Sequence, residues 1–376
     1  MDAVSETIIT DQKPAQPTVD DPSLLTVILD LTPHGWFKIK DHITVQEVTK
    51  ALLVFLNAHL SLNNTNQVAF IVCSPDGAKF LYPNPGKNFD GIQDNGNSKG
   101  EAGTKTPSPN LVNTEMYRQF RIVDEAVLEE LNEVIKSLSN SNSVNKTRST
   151  LSGALSLALT YTNRMLNLDQ SISTTTASAF NATTKSTSGT TNATGSGSSA
   201  SAVSTNYTSM LSRILVISAN DDDDVKYIPI MNSMFAAQKM RLPIDVAKLG
   251  SVSSSYLQQA SDATNGIYLQ VENPEGLIQT LCTAFFIESS IRPLIILPSN
   301  SNVSYRASCF ITGKSVDLGY VCSVCLCIMS IIPTDAKCPT CNSHFDKSIL
   351  NQLQNSVVLS TKRRKIDTNG RDTPPA

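Results

Sequence analysis

Two Cys-x-x-Cys pairs, Cys322-Ser323-Val324-Cys325 and Cys338-Pro339-Thr340-Cys341, constrain this chain more than any other feature. Each pair places two thiolates on one tight turn whose backbone N–H groups point at the sulfurs. Two such turns a short loop apart offer a tetrahedral set of four sulfurs, the donor set Zn²⁺ favours. The spacing therefore predicts one structural zinc ion on Cys322, Cys325, Cys338 and Cys341. Four protein ligands leave no open position for water or substrate, so a folding and docking element is expected here, not a catalyst. Cys327 and His344 are alternative ligands, and the four chosen preserve both turns. The bland alternative, four buried thiols without metal, is disfavoured by the paired spacing. Even with Cys327 and His344 the cluster falls short of the eight ligands of a two-ion RING, which weakens a ubiquitin-ligase reading.

The length of 376 residues suits two or three domains, and the apolar fraction supports a sizeable core. A net charge of −3 argues against a protein that coats nucleic acid. The other cysteines, Cys73, Cys282, Cys309 and Cys327, are scattered through apolar stretches. That pattern suits a reducing compartment with one metal site better than a disulfide framework. The opening Met1-Asp2-Ala3-Val4-Ser5-Glu6 lacks a basic region before an apolar one, so no signal peptide is expected. No apolar run approaches membrane-spanning length, so no membrane partner is expected.

Residues 1–21 read as a loose tail. Leu24 to Asp30 is a continuous apolar run ending in a carboxylate, the pattern of a strand buried on both faces. Val45 to Leu60 reads as a helix, Gln67 to Cys73 as a second buried strand and Lys79 to Tyr82 as a short third. Low-complexity insertions are expected near 84–110 and 169–209, because Ser/Thr/Asn/Gly-rich sequence buries too little apolar surface to offset ordering entropy. Between them fall two helices, Met116 to Leu138 and Thr150 to Arg164. The first carries a stripe of Met116, Phe120, Val123, Val127, Leu131, Ile135 and Leu138, with Asn113 or Thr114 as its cap. Arg213 to Ala219, Pro243 to Leu249 and Gly266 to Val271 read as strands. Pro229 to Met240 and Ser254 to Asp262 read as helices, and Asn273-Pro274-Glu275 is expected to cap a last one ending at Phe285. Asp221 to Asp224 suit the positive end of the helix from Pro229. The alternation implies an α/β fold, a doubly wound and mostly parallel sheet with helices on both faces. Ligands in such folds bind at the carboxyl ends of the strands, which puts Asp30-Leu31-Thr32-Pro33-His34 at the functional edge.

On these elements the chain resembles a von Willebrand factor A domain over residues 22–290. That family carries Asp-x-Ser-x-Ser after the first strand, a later loop Thr and an Asp after the fourth strand, which together hold a divalent cation. The resemblance implies cation-site roles for Asp30, Thr32 and Thr150. His34 stands in place of the second Ser. Ala219 stands where the second carboxylate belongs, with Asn220 after it, and Asp221 is out of register. The site is therefore expected to be degenerate and empty, since an octahedral cation deprived of a carboxylate and a hydroxyl is weakly held. Asp30 and Thr32 are then expected to hydrogen-bond the strand-end loops. A cation-dependent ligand-binding A domain is the alternative.

A connecting segment, 291–318, leads to the finger at 319–347 and a polar, basic tail at 348–376. Between the cysteine pairs runs Leu326-Cys327-Ile328-Met329-Ser330-Ile331-Ile332-Pro333, more apolar surface than so small a module can bury alone. Gly313-Lys314-Ser315 looks like the end of a P-loop, but Ser308 stands where that motif needs Gly, so nucleotide binding is rejected. No nucleophile, metalloprotease or dinucleotide motif is present, and no small-molecule substrate is expected. Lys362-Arg363-Arg364-Lys365 in the tail reads as a nuclear import signal.

An A-type domain followed by a four-cysteine finger of this spacing is similar to the smaller A-domain subunit family of the general transcription and DNA repair factor IIH core. The similarity is carried by residues 53–60, Tyr227-Ile228-Pro229-Ile230-Met231-Asn232, Asp262-Ala263-Thr264-Asn265-Gly266 with Tyr268, and Gly319 to Cys327. It implies a nuclear, non-enzymatic subunit acting in RNA polymerase II transcription initiation and nucleotide excision repair. It implies a partner, the larger A-domain subunit with its zinc-binding C-terminal region, and DNA met only through the complex.

Overall fold

The computed structural model describes residues 22–84, 117–140, 149–185, 210–222, 225–287, 291–295, 303, 305–333 and 335–356. The expected caps at Asn113 and Thr114, the tail of residues 1–21, most of both insertions, Asp223, Asp224 and the basic cluster 362–365 lie outside these. The chain divides into two compact units, Met1–Ser304 and Tyr305–Ala376.

The first unit is built on β1 (Ser23–Asp30), every residue of which is buried. Both its faces must be covered, which its unbroken apolar sequence already requires. It pairs in parallel with β2 (Gln67–Ser74) on one side and β4 (Leu211–Ser218) on the other. Beyond β4 follow β5 (Ile244–Leu249) and β6 (Tyr268–Val271), both parallel; beyond β2 lies β3 (Gly77–Tyr82), antiparallel. The order is β3-β2-β1-β4-β5-β6. Leu25, Val27 and Leu29 face α1 (Pro33–Ile39), α2 (Val45–Leu62), α3 (Arg118–Asn140) and α7 (Leu277–Ala284). Ile28 faces α4 (Leu151–Lys185), α5 (Tyr227–Lys239) and α6 (Ser255–Ala263). Connections leave β1 toward β2 and return to β4, so the winding reverses at the β1/β4 crevice, where this fold class places its ligands.

Several details depart from the sequence reading. Helix α1 was not expected; Pro33 at its first turn costs no hydrogen bond there. In α3 the buried stripe passes through Val134, while Ile135 is exposed, because Val134 lies nearer the middle of the face set by Val123, Ala126, Val127, Glu130 and Leu131. Helix α4 runs past Arg164 to Lys185, into the stretch from 169 that reads as unstructured. No Gly or Pro interrupts residues 165–185, so a helix nucleated on the packed turn at Leu151 continues at small cost per residue. Residues 169 and 210, which bound that stretch, still meet, since the Met210 amide donates to Asp169 at 3.1 Å. The N-cap of α7 is Gly276, at φ 74°, one turn later than expected; Asn273 instead accepts from the Glu275 amide. Asp222 does not serve α5. It accepts from the Ser254 hydroxyl and the Ser255 amide, at the N-terminus of α6.

The end of this unit is clamped by buried charge. Arg292 donates bidentately to Asp245 at 2.8 and 2.5 Å, and Asp245 also accepts from the Ile267 amide. Arg213 donates to the carbonyls of Phe285 and Ile287. A buried pair with every oxygen satisfied fixes the returning chain to the sheet, and removing one partner of such a pair costs about 3–5 kcal/mol.

The second unit starts with a hairpin of β7 (Ala307–Ser308) and β8 (Ser315–Val316), inside the segment expected to be a connector. Gly313, at φ 73°, turns this hairpin; it does not open a helix as a P-loop glycine would. A second hairpin pairs β9 (Tyr320–Val321) with β10 (Ile328–Met329). The Phe310 amide joins the two by donating to Ile328. Helix α8 (Lys347–Ser356) occupies the start of the expected tail.

Burial of His59 sets a pH response. Loss of hydration, helped by the Arg213 charge, pushes its imidazole down from 6.5 to about 4, while its contact with Ser23 opposes this. The unfolded chain takes up that proton near pH 6.5 and the folded one does not, so the stability is intact above about 6.5 and lost as pH falls toward about 4. Asp124 works in the opposite sense: burial, against the Asn57 amide, lifts its carboxyl to about 6, so its contribution fades as pH rises through that value. Replacing His59 with Gln is expected to flatten the acid side of the stability profile by up to ~1.4 kcal/mol per pH unit between about 6.5 and 4. Urea unfolding of variant and wild type across that range reads the slope; parallel profiles would contradict the assignment.

Candidate functional site

Two groups of chemistry-bearing side chains stand out, one in each unit. In the first, Asp30 ends β1 fully buried at the β1/β4 crevice. One carboxylate oxygen accepts from the Thr32 amide at 3.0 Å and the Thr32 hydroxyl at 2.7 Å. The other accepts from Ser149 at 2.9 Å, Ser218 at 3.2 Å and the Asn220 side-chain amide at 2.6 Å. Five donors meet an ionised group with about four lone-pair sites.

Thr150, expected in this group, instead donates to the Ser74 carbonyl at 2.7 Å, and Ser149 takes its place on Asp30. The Ser149 hydroxyl also accepts from the Leu151 amide, two residues on, at the start of α4. The one local signal for Ser149 is that a Ser hydroxyl just before a helix readily bonds the backbone two residues on. Asn220, one residue past Ala219, reaches Asp30 from just beyond the end of β4. Its carbonyl oxygen accepts from the Gly35 amide at 3.0 Å, and a Cβ on Gly35 would run into Asn220 and the Ala219 carbonyl. Close by, Lys248 is 1% exposed and donates to the carbonyls of Ala219 and Leu249, both at 3.1 Å, and to Asp221 at 3.4 Å. Burial pushes the Lys248 ammonium down, and Asp221 opposes the shift. Burial likewise lifts the Asp221 carboxyl, but Lys38 at 2.6 Å and the Lys248 charge outweigh it and hold Asp221 below its usual range.

These residues do not suit a divalent cation. A Mg²⁺ ion needs open oxygen lone pairs in octahedral array. Here the carboxylate oxygens are occupied, an amide N–H points at Asp30, and a buried ammonium is bonded one residue from Asn220. Asn220→Asp would set two carboxylates against each other in a buried site. That variant is expected to lose about 3–5 kcal/mol without added metal and to recover part of it with Mg²⁺, while the wild-type melting temperature does not move with Mg²⁺. Thermal melts in metal-free and Mg²⁺-containing buffers check this, and a wild-type shift with Mg²⁺ would contradict it.

The second group is the thiol cluster. Among the described residues, the sulfurs of Cys322, Cys325, Cys327 and Cys338 lie within 4.8 Å of one another. Cys325 and Cys338 are 3.5 Å apart, Cys327 and Cys338 3.3 Å. Cys341 joins at 3.8 Å from Cys322. Two sulfurs on one tetrahedral zinc, each bonded at ~2.3 Å, are separated by roughly 3.8 Å. The backbone aims at the same end. Amides of Cys325 and Val324 lower the Cys322 thiol. Burial raises the Cys338 thiol, but the Cys341 and Thr340 amides outweigh it and bring it to about 5. The donor set, its spacing and its amide-stabilised thiolates suit a soft dication. Cys322, Cys325 and Cys338 would hold it with a fourth sulfur. His344 is exposed, and the structure does not bring it into the group.

The cluster supplies most of the core of its unit. Cys322, Cys327, Cys338 and Met329 are buried with Phe345 against them. Around them Val324 is 68% exposed, Leu326 70%, Ile331 58% and Leu318 90%.

The two groups define a class: an A-type domain whose strand-end crevice is filled by hydrogen bonds to Asp30, followed in the same chain by a small thiol-cluster unit. A family model described as transcription factor Tfb4 matches residues 22–342, and the chain belongs to that family. It is 65% identical over 376 residues to the general transcription and DNA repair factor IIH subunit TFB4 of Debaryomyces hansenii, covering 98% of this chain and 97% of that one. The same subunit of Saccharomyces cerevisiae is 39% identical, covering 97% and 98%. The crystal structure of the TFIIH p34 N-terminal domain is similar to 71% of this chain and 99% of its own, at 26% identity and a TM-score of 0.48.

Proposed function

We propose that this chain is a non-catalytic structural subunit of the core of transcription and DNA repair factor IIH. In this reading it acts in RNA polymerase II transcription initiation and nucleotide excision repair by holding the larger A-domain subunit, and it meets DNA only through the complex. The observation that carries the reading is the family match, which extends through both units. Three features support it. The strand-end crevice, where an enzyme of this fold class would bind its substrate, is filled by the Asp30 network. The thiol cluster suits one structural Zn²⁺ on Cys322, Cys325, Cys338 and Cys341, a closed site. The second unit leaves Val324, Leu326 and Ile331 exposed beside a core too small to cover them, as a part built to be covered by a neighbour would.

The nucleus is the compartment that fits this work, with Lys362, Arg363, Arg364 and Lys365 as the import signal. Among the described residues no helix is long and apolar enough to cross a membrane.

Affinity purification of the full chain from its own cells in stringent salt, with identification of the chains that stay bound, tests the reading. It predicts stoichiometric recovery of the larger A-domain subunit with other core subunits. A chain that purifies alone, or one whose homogeneous preparation turns over a substrate, would overturn it.

A further inference from the structure

Five sulfurs crowd a centre that takes four, and proximity alone would select Cys327 over Cys341. The backbone points elsewhere. The cluster is two copies of one turn, the second following the first at an interval of 16 residues, from Cys322 to Cys338. In the first copy the Cys322 amide donates to the Cys327 carbonyl at 3.0 Å, and the Leu326 amide donates back to the Cys322 carbonyl at 2.9 Å. In the second the Cys338 amide donates to Ser343 at 2.9 Å, and the Asn342 amide donates back to Cys338 at 3.0 Å. Leu326 and Asn342 both adopt the left-handed conformation, at φ 60° and 58°. The same antiparallel pairing flanks each turn, Val321 with Ile328 and Lys337 with His344. Cys322 therefore corresponds to Cys338, Cys325 to Cys341, and Cys327 to Ser343.

The side chains keep this correspondence. The Cys327 sulfur reaches across to Cys338 at 3.3 Å, and the Ser343 hydroxyl reaches across to Cys322 at 3.6 Å and lies 3.0 Å from Cys341. A serine hydroxyl in this position is a poor zinc ligand beside four thiolates but a good donor to them. We infer that Cys327 is a positioning residue equivalent to Ser343, each donating a hydrogen bond across the centre to the first cysteine of the opposite turn. Four thiolates give a zinc centre a charge of −2, and the two outer donors spread that excess and fix the sulfur orientations. The ligand set is then Cys322, Cys325, Cys338 and Cys341. This rests on the metal reading above.

The test uses the full chain with its native metal. Zinc per chain is measured first, then the rate of zinc transfer to a chromogenic chelator. The thiolate-to-cobalt absorption is recorded after Co²⁺ replacement. Cys327→Ser copies the other turn, and is expected to retain one ion, the four-thiolate absorption and the wild-type transfer rate. Cys327→Ala and Ser343→Ala are expected to keep the four-thiolate absorption but weaken metal affinity about 10–100-fold, with faster transfer. Cys341→Ser is expected to lose one thiolate from the spectrum. If Cys327→Ala fails to fold, Ser343→Ala and Cys327→Ser still carry the comparison. A three-thiolate spectrum in Cys327→Ser, or four thiolates in Cys341→Ser, would overturn the assignment, as would a wild-type transfer rate in Ser343→Ala. Wild-type protein without stoichiometric metal would overturn the metal reading itself.

Discussion

Mutual repulsion among close thiolates is the constraint on which the second unit depends. Cys322 lies 3.8 Å from Cys341 and Cys325 3.5 Å from Cys338, and the turn amides stabilise the ionised forms of Cys322 and Cys338. Such a group is tolerable only around a cation. Its remaining apolar core, Met329 with Phe345, is too small to hold the hairpins together. A structural zinc held there, as proposed, would supply its binding energy, on the order of 10–16 kcal/mol in small fingers, as folding energy. The surfaces that a larger core would have drawn inward stay outside, available to a neighbour.

The first unit solves the opposite problem, one buried negative charge at the crevice where its fold class binds ligands. Asp30 is satisfied by three hydroxyls and two amides from three separate segments, while Lys248 neutralises the neighbourhood from β5. The result ties β1, the start of α4 and the end of β4 into one rigid edge. A ligand-gated A domain needs that edge to be open and adjustable; a scaffold needs it closed.

Much of this was legible in the sequence, for physical reasons that differ from element to element. Strands β1, β2 and β4 announce themselves because burial on both faces demands unbroken apolar runs. The paired cysteines are legible because a tight turn has a fixed spacing. Helix α1 was not legible, because it is only seven residues long and holds both Pro33 and Gly35. Gly35 is there for its contact with Asn220, a partner 185 residues away. Asp222 was assigned to the nearer helix, since sequence shows only chain neighbours, whereas folding brought it to Ser254. Lys248 carried no signal at all: a lone lysine in a strand reads as exposed until the strand is seen to be internal. Cys327 was visible as an alternative ligand, but its counterpart Ser343 emerged only from matched backbone hydrogen bonds.

The proposed closed, four-sulfur metal centre can be measured by X-ray absorption at the zinc edge, recorded on the purified full chain. One zinc per chain is expected, with four sulfur neighbours at ~2.3 Å and no lighter atom in the inner shell. An oxygen or nitrogen neighbour, fewer than four sulfurs, or no bound zinc would contradict it.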